Sequence, residues 1–327
     1  MGEIERRQFL LGVVALLAAP ATQAQRMPRI GVLWHAGSAE EERIPLAAFR
    51  EGLKLAGYEE GRNILVEHRF PNEEPEKFRR FAHELIALRV EVLVAVTRPA
   101  ALAAQQATKS IPIVFVVVPD PLGSRLVATL ARPGGNVTGL STMAVELTGK
   151  RLELIKEATP GVSVVGLLVN KSDPEGARRY IDVSRADAAR LGMSIEPVEV
   201  GSAADFEGAF AGMRAKRFGA VVSSQDGLFY VEMARMARLA LAHRLPMIGF
   251  AREMAAVGGL MSYGPSSPAI FRRAGVFIDR ILKGARPADL PVEQPANFEL
   301  YLNTETAKVL GLSLPSTLVS RADGLFK

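Results

Sequence analysis

The chain has 327 residues, 48% of them hydrophobic and 23% charged, with a net charge of +5 and no cysteine. That size and balance describe a globular protein of about two domains and exclude wholesale disorder. The missing thiols exclude disulfides, thiolate metal sites, a Cys nucleophile and lipid attachment at an N-terminal Cys, and the scattered Lys and Arg, with no basic run, argue against a nucleic-acid surface.

Arg6-Arg7-Gln8-Phe9-Leu10, the apolar stretch 11–19 and the small-residue run to Thr22-Gln23-Ala24 read as a signal peptide over 1–24 cut after Ala24. The Arg-Arg-x-Phe-Leu order is similar to a twin-arginine signal, but Glu5 departs from it, so twin-arginine and Sec export both fit. The rival reading, an uncleaved anchor, suffers from an apolar stretch too short to span. The mature protein is therefore expected outside the cytoplasm.

From Pro28 the pattern alternates: strands at 30–34, 64–69, 92–96, 113–118 and 137–140, with helices at 44–55, 76–88, 100–108 and 122–131. The apolar run 113–118 reads as a strand buried on both faces, and Asp120-Pro121 after it as a helix start. The alternation then restarts, with helices at 147–158, 174–191, 203–216 and 229–243 and strands at 164–169, 194–200, 220–224, 247–250 and 259–262. A helix over 267–283, a Pro-rich stretch, an extended 298–302 and a helix from Thr304 complete the chain. The fold class is α/β, two doubly wound Rossmann-like lobes with a cleft between them and more than one crossing. The first lobe is expected over 25–141, completed by 264–297, and the second over 142–263, completed by 298–327.

Thr97-Arg98-Pro99, Asp120-Pro121, Ser172-Asp173-Pro174-Glu175 and Gln225-Asp226 all stand at strand carboxyl ends, the ligand edge of an open α/β sheet. Helix N-termini there suit a carboxylate or phosphate; the plain alternative is that these residues only cap helices. Ser172 and Glu175 also fit a capping box. Trp34, ending the first strand, suits stacking on a flat ligand or packing in the core, and Phe229 and Phe250 stand at analogous places. The four histidines lack metal-ligand spacing, and there is no Gly-x-Ser-x-Gly elbow, Walker loop or Gly-x-Gly-x-x-Gly, so no metal and no cofactor are expected. Asp120, Asp226 and Glu253 are capable of acid–base work, but no nucleophile accompanies them, and a carboxylate pairing with a ligand ammonium explains them better.

Several segments, taken in order, carry a family likeness: Ala47-Ala48-Phe49-Arg50-Glu51-Gly52-Leu53, Gly61-Arg62-Asn63-Ile64, Pro99-Ala100-Ala101-Leu102-Ala103, Asp120-Pro121-Leu122-Gly123, Leu130-Ala131-Arg132-Pro133-Gly134-Gly135-Asn136-Val137-Thr138-Gly139, His243-Arg244-Leu245-Pro246 and Gly258-Gly259-Leu260-Met261-Ser262-Tyr263-Gly264. Through them the chain resembles the ABC-transporter substrate-binding proteins of the TrpX-like family, with a type 1 periplasmic-binding fold, from Pro28 to Lys327. The resemblance implies no catalysis: a periplasmic monomer captures a small, amino-acid-like or anionic ligand between closing lobes and delivers it to an inner-membrane ABC permease. The cleft-lining positions it implies are Trp34, Ala36, Gly37, Thr97, Pro99, Ala100, Asp120, Pro121, Asn170, Asp226, Phe250 and Glu253. Hinge closure is expected near Ser141-Thr142, Ser262-Tyr263 and Asn303.

The chain departs from the family pattern at Arg98, at Asn170-Lys171-Ser172-Asp173-Pro174 and at Ser224-Gln225-Asp226-Gly227. Arg98 and Lys171, if they face the cleft, favour an anionic ligand. The rival functions are an isomerase or hydrolase working through Asp120 or Asp226, and a ligand-binding subunit of a sensory system.

Overall fold

The computed structural model describes residues 27–327; the expected signal peptide, 1–24, lies outside them. Strands β1 (Arg29–Leu33), β2 (Leu65–Arg69), β3 (Val92–Val96), β4 (Ile113–Val118) and β5 (Val137–Ser141) form a parallel sheet in the order β2-β1-β3-β4-β5. Both β3 and β4 are buried along their whole length, as continuous Val/Ile-rich runs in a helix-covered parallel sheet require. Helices α1 (Arg43–Leu55), α2 (Pro75–Ala87) and α3 (Thr97–Ala107) are the right-handed crossovers of this first lobe.

Strands β6 (Val164–Asn170), β7 (Ser194–Val200), β8 (Ala220–Ser223), β9 (Met247–Gly249), β10 (Met261–Gly264), β11 (Glu299–Asn303) and β12 (Gly324–Phe326) form the second sheet, ordered β12-β11-β10-β9-β8-β6-β7. Only β10–β11 pairs antiparallel there. Its helices are α4 (Thr148–Ala158), α5 (Pro174–Arg190), α6 (Phe206–Ala215), α7 (Gly227–Val231), α8 (Met233–Ala242) and α9 (Arg252–Ala256). Helix α10 (Ser267–Leu282) returns to the first lobe, while α11 (Thr304–Leu310) and α12 (Ser316–Ser320) accompany the second sheet. Gly52 and Gly275 let α1 and α10 touch backbone to backbone: a Cβ on either would stand 2.2 Å from a carbonyl oxygen across the interface.

The helix expected over 122–131 is absent. One turn forms after Asp120, and then Arg125 takes φ +55°, a left-handed conformation that ends it. The Gln105 side-chain amide on α3 donates to the freed carbonyls of Arg125 and Leu126, at 3.3 and 3.1 Å, and fixes an irregular crossover instead. The helix expected over 229–243 is broken at Glu232 into α7 and α8.

Three crossings join the lobes, at 142–147, 265–266 and 294–298. The third does not lie at Asn303, which sits inside the second lobe: its side chain accepts from the Thr306 N–H at 2.8 Å, capping α11, and donates to the Ala255 carbonyl at 2.9 Å. Residues 290–293 edge the first sheet before crossing, with Ser141 N–H donating to Glu293 O at 2.9 Å and Glu293 N–H to Gly139 O at 3.0 Å. Buried Arg151 on α4 donates to the Ala144 carbonyl at 3.0 Å and to the Tyr263 carbonyl at 2.8 Å, one at each of the first two crossings.

Candidate functional site

The carboxyl ends of both sheets face one another across an inter-lobe cavity. Of the twelve cleft positions named from the sequence, Thr97, Pro99, Asp120, Asn170, Asp226 and Phe250 line it. Two of its first-lobe walls are backbone outliers. Thr97 has φ +75° where β3 turns straight into α3, and Val117 has φ +55° at a register shift between β4 and β5. For β-branched residues this costs on the order of 1–3 kcal/mol each, strain that persists only where surrounding structure imposes it. The bulge turns Val117 into the cavity, and its carbonyl accepts from the Gln225 side chain of the second lobe at 3.1 Å. The Thr97 hydroxyl is buried and has no hydrogen-bond partner among the described residues, although it stands in the first turn of α3 beside free backbone N–H groups.

On the opposite wall Asp226 caps α7. Its Oδ1 accepts from the Leu228 N–H and from the Asn170 amide, each at 2.9 Å. Burial first, and the nearby Glu73 carboxylate second, push this carboxyl up to about 7, against the lowering effect of those two donors. Across the lobe boundary His35 lies between Glu42 (Nε2 to Oε1, 3.2 Å) and Glu73 (Nδ1 to Oε1, 2.9 Å). Burial alone would lower its pKa; Glu42, Glu73 and Asp226 outweigh burial and raise it to about 9, so both ring nitrogens donate at neutral pH. Gly227 permits this approach, because a Cβ there would sit 1.8 Å from Glu73 Oε1 and 2.8 Å from His35 Nδ1.

The remaining sequence-named positions lie outside the cavity. Trp34 is fully buried, stacked on Phe70 and Phe271 with ring centroids 6.1 and 5.8 Å away, and its indole N–H donates to His68 Nδ1 at 2.9 Å. It reaches the cavity only through Phe271, which does line it. Ala36 donates its N–H to Glu42 at 3.2 Å, Gly37 is exposed against Asn72, Ala100 is in the first-lobe core, and Pro121 is buried behind Asp120. Glu253 is half-buried on α9 with one oxygen unpartnered among the described residues, and burial raises its pKa. Phe229 packs in the second-lobe core.

Arg98 and Lys171 do not supply free positive charge. Lys171 pairs with Asp205 at 3.0 Å on the surface, and Arg98 is engaged by Asp173, Glu175 and Ser124. Asp173, not Ser172, caps α5, accepting from the Gly176 N–H at 3.1 Å, and the expected capping box does not form because Glu175 turns to Arg98. Asp120 is held by Arg179. The sequence reading missed Tyr180, Tyr230, Arg179 and Phe271, which supply much of the aromatic and cationic wall. All four lie within helices, and no strand-end punctuation marks them.

The arrangement offers a hydroxyl with helix N–H groups on one wall, a carboxyl on the other, and aromatic surface between: a binding cleft for a small molecule with two polar ends. The family model for ABC transporter substrate-binding proteins matches residues 44–325. A tyrosine-binding protein of Clostridioides difficile is 25% identical over 265 residues, 81% of this chain and 75% of that protein. Among solved structures, the ABC domain in complex with L-Trp from Streptococcus pneumoniae is similar at 26% identity and TM-score 0.85, covering 91% of this chain and 99% of that one. A conserved domain protein from Vibrio cholerae is similar at 27% identity and TM-score 0.86, covering 92% and 100%. With most of its length matched and its two α/β lobes facing across a lined cleft, this chain belongs to the ABC transporter substrate-binding protein family.

Proposed function

We propose that the ligand is an α-amino acid with an aromatic or large apolar side chain, bound unchanged and handed to an inner-membrane ABC permease. The observation that carries this reading is the pairing, across one cavity, of the unpartnered Thr97 hydroxyl at the start of α3 with the half-buried Asp226 carboxyl. A carboxylate satisfies the first, since it accepts from the hydroxyl and helix N–H groups; an ammonium satisfies the second, since it pairs with a carboxylate largely withdrawn from water. Tyr180, Tyr230, Phe250 and Phe271 line the same cavity and offer aromatic surface to a planar side chain. The L-Trp and tyrosine named for the relatives fit the same description.

Catalysis has little to work with. Asp120 is neutralised by Arg179 and Asp226 is fixed by Asn170 and the Leu228 N–H, so neither carboxyl is placed as a free acid–base group beside a nucleophile. The protein works as a monomer, exported by the 1–24 segment to the periplasm, with 27–141 and 267–293 as one gripping lobe and 148–264 and 299–327 as the other.

The test is calorimetry of the mature protein with L-tryptophan and L-tyrosine, then with tryptamine and indole-3-propionate, which lack the carboxylate and the ammonium respectively. The amino acids should bind, and each truncated analogue should bind weaker by roughly 30-fold or more, the usual consequence of leaving a buried polar partner unsatisfied. Equal binding of an amino acid and its deaminated analogue would remove Asp226 from the site.

A further inference from the structure

Arg98 and Arg179 both line the cleft, yet every ion pair that their charged heads make among the described residues runs to a protein carboxylate across the lobe boundary. Arg98, on first-lobe helix α3, donates Nε–H to Ser124 Oγ of its own lobe at 2.9 Å. Its two Nη groups reach Asp173 and Glu175 in the second lobe, the latter at 2.6 Å. Arg179 starts from that same second-lobe helix and reaches back to Asp120 of the first. Asp173, Glu175 and Arg179 occupy the cap and first two turns of α5, so one helix end presents acceptors and a donor together.

We infer that these five residues are closure residues, a two-way ion-pair lock that holds the lobes shut on one another whether or not a ligand is present.

Three observations support the lock. Its polarity alternates, cation to anion in one pair and anion to cation in the other. Sliding the lobes by a turn of α5 would set Arg179 against Arg98, so like charges oppose any other seating. Its inner pair is shielded, with Arg98 and Asp173 side chains 10% and 18% exposed, where screening is weak; Glu175 and Arg179, at 47% and 38%, form the outer, weaker rim. And the first lobe is shaped to receive it: the Arg179 guanidinium lies flat on Gly123, where an added Cβ would stand 1.6 Å from its central carbon.

Because the chain contains no cysteine, Glu76→Cys on the first lobe and Arg185→Cys on the second can be spin-labelled uniquely. Pulsed electron paramagnetic resonance on the ligand-free protein then reads the inter-lobe distance. At low salt the short, closed distance should dominate. Arg98→Gln should lower the closed-to-open ratio by about tenfold, and 1 M NaCl, which screens chiefly the exposed Glu175 and Arg179 rim, should lower it by less. Gly123→Ala, which removes no charge and unseats Arg179 sterically, should lower it as well, so the result does not hang on one buried substitution. Adding Glu175→Gln to Arg98→Gln should change little further, since the pair is already broken. A ligand-free protein open at low salt, or a distance distribution identical in wild type, Arg98→Gln and Gly123→Ala, would overturn the lock. No ligand enters this measurement, so its failure leaves the proposed ligand class standing.

Discussion

Replacing Asp226 by Asn should make the protein more stable at neutral pH while removing its capacity to hold an ammonium. Asn is nearly isosteric, and its Oδ1 can still accept from the Leu228 N–H and the Asn170 amide, so the α7 cap survives. What disappears is a carboxyl whose pKa burial and Glu73 raise from 3.8 to about 7. The folded protein therefore binds this proton more tightly than the unfolded chain does. The associated stability is fully present below pH 3.8 and is lost as pH rises through 7. Between pH 4 and pH 7 the wild type forfeits about 3 kcal/mol from this one group. Urea denaturation of both proteins across that range should reveal it: the wild-type curve falls by about 3 kcal/mol relative to the Asp226→Asn curve, which stays nearly flat from this source. Calorimetry with L-tryptophan at pH 7 in buffers of differing ionisation enthalpy supplies the functional half. The wild type should release a proton as the ammonium draws Asp226 into its ionised form, and Asp226→Asn should neither release one nor bind well. Parallel stability curves for the two proteins would refute the assignment of Asp226 as a desolvated, ligand-compensated carboxyl.

Other consequences can be checked separately. His35, raised from 6.5 to about 9, contributes stability that is present below pH 6.5 and lost as pH climbs through 9; His35→Gln should erase a loss of up to about 3 kcal/mol over that interval, seen in denaturant midpoints at pH 6.5 and pH 9.5. Gly227→Ala introduces a methyl against Glu73 and His35 at the moment of closure, so titrations should record affinity falling roughly 10- to 100-fold with little change in the urea midpoint. Thr97→Val keeps the shape and removes a buried hydroxyl without a partner; ligand binding should weaken by about 1–3 kcal/mol while thermal stability holds or rises, and a stability loss would contradict the partnerless assignment. Trp34→Ala should cost about 3–5 kcal/mol in unfolding experiments, with L-tyrosine affinity in the still-folded protein within about threefold of wild type.

What the sequence discloses and what it withholds divide along physical lines. The β3 and β4 runs are legible because a strand covered on both faces must be apolar at every position. Thr97, Asp120, Asn170 and Asp226 are legible because polar residues directly after such strands have few places to be except the ligand edge. Trp34 misleads at that same edge. Its strand-end position is right, but its ring points to the α1 and α10 side, where Phe49 and Phe271 enclose it, and a facing direction is a tertiary fact. The 122–131 crossover misleads for a related reason, since the Gln105 side chain that captures its carbonyls stands on a different element. Arg179 and Tyr180 gain their roles only when α5 meets the first lobe, although the four-residue step from Glu175 to Arg179 does place both on one helix face.

The guanidinium of Arg151 bears on how the molecule moves. By fastening the Ala144 and Tyr263 carbonyls to α4, it makes the start of one connecting segment and the end of another into rigid extensions of the second lobe. Bending is thereby pushed toward the first-lobe side, to Thr142 and Met143, the latter already at φ +54°, and to Pro265 and Ser266. The pivot resembles a hinge leaf screwed to one door only: the axis travels with the second lobe, and the first lobe swings about it. The axis and the ligand wall are thereby linked, because the core that anchors Arg151 includes Val145 and Tyr180, which also line the cavity.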